Sequence, residues 1–168
     1  MLTTQRLTLR PFELADAPFV VEQLNDPGWL RFIGDRKVRT LADAEAYIEA
    51  RLIAQQRRVG YSLWRVALQD SDEAVGMCGL VRRDGLDDAD LGFALLQRHA
   101  GRGYAHEAAR AVMQEADHTF RIDRVVAICD PANASSIRLL EKLGFVFEKT
   151  VRLPQGDEDL NLYGRARP

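Results

Sequence analysis

Arg98-His99-Ala100-Gly101-Arg102-Gly103-Tyr104-Ala105 connects an apolar run, Asp90 to Leu96, to an amphipathic stretch that starts near Ala105. Glycine has no Cβ, so Gly101 and Gly103 let the backbone turn tightly and bring its N–H groups to the surface. Those amides head a helix, where the dipole is positive, and this makes a ready anion site. Arg98, His99 and Arg102 add local positive charge. A diphosphate is the natural ligand. The dinucleotide fingerprint would need a third glycine where His106 stands, although Asp123 lies further on. The Walker pattern Gly-Lys-Ser/Thr is absent. By spacing alone, a plain tight turn explains the glycines equally well.

Downstream, Ala105, Ala108, Ala109, Val112, Met113, Ala116 and Phe120 fall on one helical stripe. Val125 to Cys129 is short and wholly apolar, as expected of a strand covered on both faces. Strand 90–96, helix 105–120 and strand 125–129 form a β-α-β unit, whose strands should be parallel. Upstream, Tyr61 to Leu68 and Ala74 to Val81 read as two further strands. Asp70-Ser71-Asp72 and Asp84-Gly85 supply turns, so this part is an antiparallel meander.

At the N-terminus, Arg6 to Arg10 alternates as a half-buried strand. A helix over 16–24 follows, closed by the turn Asn25-Asp26-Pro27-Gly28. Thr40-x-x-Asp43 resembles a capping box opening a longer helix with Tyr47, Ile48, Leu52 and Ile53, closed by Gly60. Near the C-terminus, Asn133 caps a short helix that Gly144 terminates. Strands near 145–151 and 160–165 flank Pro154-Gln155-Gly156. The sum is an α/β (α+β) domain over 1–168: a mixed, mostly antiparallel sheet of about seven strands, a central parallel β-α-β unit, and helices on both faces.

The chain has 168 residues and a net charge of −2, so it exerts no general attraction on polyanions such as nucleic acid. Any anion must be held by local chemistry. No apolar run reaches the roughly 18 residues that cross a bilayer, and Met1 to Arg10 lacks a hydrophobic signal region. Cys78 and Cys129 are too few and too separated for a disulfide framework or a zinc site. These features predict a cytoplasmic, metal-free protein without membrane or nucleic-acid partners. A second copy of the chain stays open as a partner.

Arg98-x-x-Gly101-x-Gly103, continued by Tyr104-Ala105-His106-Glu107-Ala108, resembles motif A of the GCN5-related N-acetyltransferases. Asn133-x-x-Ser136, continued through Leu143-Gly144-Phe145, is similar to their second signature. The opening Arg6-Leu7-Thr8-Leu9-Arg10-Pro11 and the closing Asn161-Leu162-Tyr163 resemble the branch with the ribosomal-protein alanine and serine N-acetyltransferases. The matches keep family order over almost the whole chain.

The resemblance implies direct transfer of an acetyl group from acetyl-CoA to a primary amine, either a protein N-terminus or a small amine or amino acid. It implies that amides from Gly101 to Ala105, through Arg102, Gly103 and Tyr104, hold the pyrophosphate. It places the pantetheine arm against the backbone of Leu95 and Leu96, with Asn133 on the far side, in a gap between strands 90–96 and 125–129. Asp90 aligns with the glutamate base of histone-acetylating relatives; the plainer reading puts it in a solvated acidic loop with Asp84, Asp87 and Asp88. The acidic loops, including Asp157 to Asp159, would attract a cationic amine. The tyrosine acid of many relatives aligns with Leu140, and an acidic residue of one branch with Ile128, so that pair is missing. Ser136 is the substitute proton donor, unless it only caps its helix. The alternative from another class is a non-catalytic acyl-CoA-binding sensor.

Overall fold

The computed structural model describes residues 1–168. Its first half runs β1 (Leu2–Thr3), β2 (Leu7–Pro11), α1 (Ala17–Leu24), α2 (Pro27–Phe32) and α3 (Leu41–Tyr47). A π-helical turn, Ile48–Ile53, joins α3 to α4 (Ala54–Val59). Then come β3 (Leu63–Leu68), β4 (Ala74–Val81), β5 (Ala89–Leu95), α5 (Tyr104–His118), β6 (Arg124–Cys129), α6 (Ala134–Lys142), β7 (Val146–Val151) and β8 (Leu160–Ala166). No helix is long and apolar enough to cross a membrane.

All eight strands form one sheet in the order β1-β2-β3-β4-β5-β6-β8-β7. The strand beyond the seven expected is β1, two residues paired with Thr8 and Leu9. Two residues are too few to show alternation. Every neighbouring pair is antiparallel except β5 and β6. That parallel contact consists of Ala89↔Val125 and Asp90↔Val126. Beyond it β5 stays with β4 as far as Leu95, while β6 stays with β8 as far as Cys129. The sheet therefore opens between β5 and β6 immediately after Asp90.

Each face is sealed by helices chosen by apolar periodicity. On one face, Ala108, Ala109, Val112, Met113 and Ala116 of α5 and Leu140 of α6 pack on Leu7, Leu9, Val66, Cys78, Leu80 and Leu91. The small alanines bring α5 close to the sheet, and burying a side chain such as Val112 stabilises the fold by roughly 1.5–3 kcal/mol. On the other face, Val20, Leu24, Trp29, Ala44, Ile48 and Leu52 from α1, α2 and the 41–59 helix cover Met77.

Local signals mostly act as their chemistry requires. Thr40 and Asp43 form both bonds of a capping box, and Gly60 ends α4 at φ +84°. The turn expected at 25–28 needs a correction. Asp26 accepts from Gly28 N at 3.0 Å and opens α2, with Pro27 at its first position. Proline's missing N–H is harmless there, so the residues that stop α1 also start α2.

Candidate active site

The glycine loop hangs from the end of β5. A 3-10 turn, Gln97–His99, leads to Gly101 at φ +77° and Gly103 at φ +82°, values that only glycine adopts without strain. α5 begins at once. No side chain caps it, and its first backbone acceptor, Gly103 O, is taken only by Glu107 N. The amides of Tyr104, Ala105 and His106 thus remain free at the positive end of a helix. Arg102 is exposed and its side chain forms no ion pair.

A clasp under this loop has no counterpart in the sequence expectations. Glu107 accepts from Thr4 Oγ1 (2.6 Å), Arg6 N (2.8 Å) and Arg6 Nε (2.7 Å). Arg6 also donates to Arg102 O at 3.0 Å and lies 4.7 Å from the Tyr104 ring centroid. Burial works against the Glu107 charge, but the Thr4 and Arg6 donors outweigh it and hold the carboxyl below its usual range. Glu107 thereby ties the N-terminal segment to the loop, which goes beyond its favourable place at the helix dipole. The only signal was a charged residue in a first helical turn, which many helices carry.

Two basic residues of the motif lie differently from expectation. Arg98 was expected to bind the anion, yet its guanidinium pairs with Glu22 and sits 3.7 Å from Glu73. His99 was expected to add positive charge at the anion site, but it is 5% exposed, with Nε2 3.0 Å from Glu73 Oε1. Both pin the loop to the scaffold, aided by Gln97 N donating to Asp26 Oδ2 at 2.9 Å. His106 instead lines a cleft of about 320 Å³ between α5 and α6, with Arg110, Lys142 and Arg165.

The open seam presents backbone, but not all of what was expected. Leu96 N donates to Val75 O at 2.9 Å, so Leu96 faces β4 and its N–H cannot pair with a pantetheine arm. In an antiparallel ladder the direction of bonding alternates along the strand. Leu95 and Phe93 therefore turn their peptide groups toward the opening. Across it, Asn133 caps α6 by accepting from Ser136 N at 3.2 Å and Ser135 Oγ at 3.0 Å. The cap uses only the backbone of Ser136, leaving its half-buried hydroxyl uncommitted. Cys129 closes β6; burial, then Asp130, pushes its thiol up to about 11.

Asp90 stands where the seam begins. It is 1% exposed, which corrects the solvated-loop reading. Asp84 and Asp87 are exposed, whereas Asp88 pairs with Arg124 at 2.9 Å. Asp90 Oδ2 accepts from Arg83 Nε at 2.8 Å, and Oδ1 is buried with no hydrogen-bond partner. Burial raises the carboxyl's pKa; Arg83 and the nearby Ile128 amide oppose this without cancelling it. A half-satisfied buried carboxylate is costly for stability and suited to taking a proton.

The sheet is thus split at two parallel strands, with a free-amide helix head at the top of the split and a buried, half-paired carboxylate at its vertex. A family model described as an acetyltransferase (GNAT) domain matches residues 6–146, and the chain belongs to that family of acyltransferases. The protein YkkB of Bacillus subtilis (strain 168) is 30% identical over 154 residues, covering 90% of this chain and 88% of its own. An acetyltransferase from Agrobacterium tumefaciens str. C58 superposes with a TM-score of 0.82 at 27% identity, covering 98% of this chain and 92% of that one. RimL, a ribosomal L7/L12 α-N-protein acetyltransferase solved with coenzyme A, shares the fold with a TM-score of 0.83 at 20% identity, covering 98% of this chain and 96% of its own.

Proposed function

We propose that this protein acetylates a primary amine using acetyl-CoA, with Asp90 as base and Ser136 as proton donor. The observation that carries this reading is the seam itself. It opens beneath the free amides of α5 and ends at a buried, partly unpaired carboxylate. Acetyl-CoA supplies a reactive thioester and a thiolate leaving group.

The chain's own groups fit it. Free amides at 104–106, the loop glycines and Arg102 suit a pyrophosphate. The peptide groups of Phe93 and Leu95 suit an extended amide-bearing arm, and a backbone N–H there polarises a thioester carbonyl. The side-chain nitrogen of Asn133, at the head of α6 just beyond β6, makes no bond within the protein. Asp90 accepts the proton that an ammonium must lose before attack, and burial, by raising its pKa, makes it a stronger base than a free carboxylate. The Ser136 hydroxyl donates to the departing sulfur.

Thiol release from acetyl-CoA, measured over a panel of amines, amino acids and peptides, tests the assignment. Turnover with at least one acceptor class is expected. Acetyl-CoA binding in calorimetry without turnover on any of them would make the protein a sensor instead.

A further inference from the structure

A diphosphate held at the glycine loop needs positive charge there, and the motif supplies less of it than its sequence implies. Arg98 is taken by Glu22 and Glu73, and His99 is buried against Glu73. Of the motif's basic residues Arg98, His99 and Arg102, only Arg102 keeps an exposed, unpaired side chain. A second guanidinium reaches the same loop from the other end of the chain. Arg6 stands just before β2, and its backbone is held on both sides. Its N–H donates to Glu107 Oε1 at 2.8 Å, and its carbonyl accepts from Gln69 N at 2.8 Å. Its side chain is fixed as well. Nε donates to Glu107 Oε2 at 2.7 Å, Nη1 donates to Arg102 O at 3.0 Å, and the group lies 4.7 Å from the Tyr104 ring centroid. Nη2 alone makes no hydrogen bond within the protein. It lies 3.3 Å from where a Cβ on Gly103 would stand, at the residue from which the free amides of α5 begin. The side chain is 42% exposed, so an anion arriving at the loop can reach it. Glu107 does not compete for Nη2, because its oxygens already accept from Thr4 Oγ1, Arg6 N and Arg6 Nε.

We propose that Arg6 is a ligand of the acetyl-CoA diphosphate, supplying from the N-terminal segment the guanidinium that Arg98 does not. This rests on the acetyl-CoA reading above. Nη2 has the free donors for a phosphate oxygen, and the helix amides serve the others. A guanidinium already held through Nε and Nη1 loses little further freedom on binding, so most of the charge-assisted bond appears as affinity. The Glu107 clasp then has a second consequence. It sets the position of a cofactor ligand as well as the shape of the loop.

The test is calorimetry of acetyl-CoA binding to the parent, Arg6→Ala and Arg6→Lys at low and high salt, with Tm measured for each. Both variants lose the fork that spans Glu107 and Arg102 O, so both should melt below the parent by similar amounts. Affinity should separate them. Arg6→Ala should bind about 10–100-fold more weakly, the loss expected for one charge-assisted bond, and with a shallower dependence on salt. Arg6→Lys keeps a positive charge and should recover most of the affinity. Equal weakening in both variants would make Arg6 a strut of the loop and overturn the proposal, as would an unchanged Kd in Arg6→Ala. The alanine penalty should persist with 3′-dephospho-acetyl-CoA. Its disappearance there would assign Arg6 to the 3′-phosphate and overturn the diphosphate assignment. A parent protein that binds no acetyl-CoA would overturn the reading on which this rests, and the proposal with it.

Discussion

Asp90→Asn separates the base role proposed for Asp90 from its effect on stability. As the base, its loss should lower kcat/KM by roughly 10²–10⁴. Its effect on folding has the opposite sign. The folded pKa lies above the unfolded one, chiefly through burial, so the folded state holds the proton more tightly. The stabilising contribution is complete below the unfolded pKa and disappears as pH rises through the folded one. The neutral variant should therefore melt no lower than the parent at pH 8, and higher if Arg83 finds solvent. A large drop in Tm would make Asp90 a structural partner of Arg83. Arg83→Gln removes the main influence that lowers this pKa, so the rising limb of the kcat/KM profile should move to higher pH. Ser136→Ala leaves the Asn133 cap intact, because that cap uses the Ser136 amide. It should lower kcat by about 10², at the weak end of general-acid effects because a thiolate leaves readily. Unchanged kcat would remove the hydroxyl from the mechanism.

The loop and helix α5 act as a unit with the N-terminal segment. Gly101→Ala has open space around its new methyl group, so it isolates the backbone effect at φ +77°. It should cost about 1–2 kcal/mol of stability and weaken acetyl-CoA binding. Gly103→Val adds a contact of 3.3 Å with Arg6 Nη2 to the same strain, so it disturbs the clasp as well as the anion site. Glu107→Gln should cost about 1–3 kcal/mol, as a carboxylate with three donors is replaced by a neutral amide. Glu107 titrates lower when folded than when unfolded, so its contribution is present above the unfolded pKa and lost as pH falls through the folded one. Urea unfolding at pH 7 and pH 4 checks this. The difference between parent and variant should shrink in acid.

Across the whole molecule, what was legible in the sequence was what depends on neighbours in the chain. Periodicity at 105–120, the capping box at Thr40 and the left-handed stops at Gly60 and Gly144 are local decisions. That the 90–96 and 125–129 strands are parallel followed from their β-α-β order, while their contact at only Ala89–Asp90 and Val125–Val126 did not. What was not legible depends on contacts across many residues. Glu107 meets Thr4 and Arg6 about a hundred positions away, and His99 meets Glu73, just before β4 and 26 positions earlier. The direction of the Leu96 amide depends on register, which composition does not reveal.

The two-residue contact between β5 and β6 also has a mechanical meaning. Residues 1–95 and 124–168 form two sheet halves hinged at Asp90 and Val126, with helices bridging one face. An extended ligand laid between Leu95 and Cys129 would act as the absent rung that locks the halves together. At a hundred times Kd, binding adds about 2.7 kcal/mol, or roughly 5–11 °C in Tm. The gain should concentrate as slowed amide exchange at the two lips of the seam. A chain severed at 121–123 should then reassemble from its two pieces more readily with acetyl-CoA present than without it.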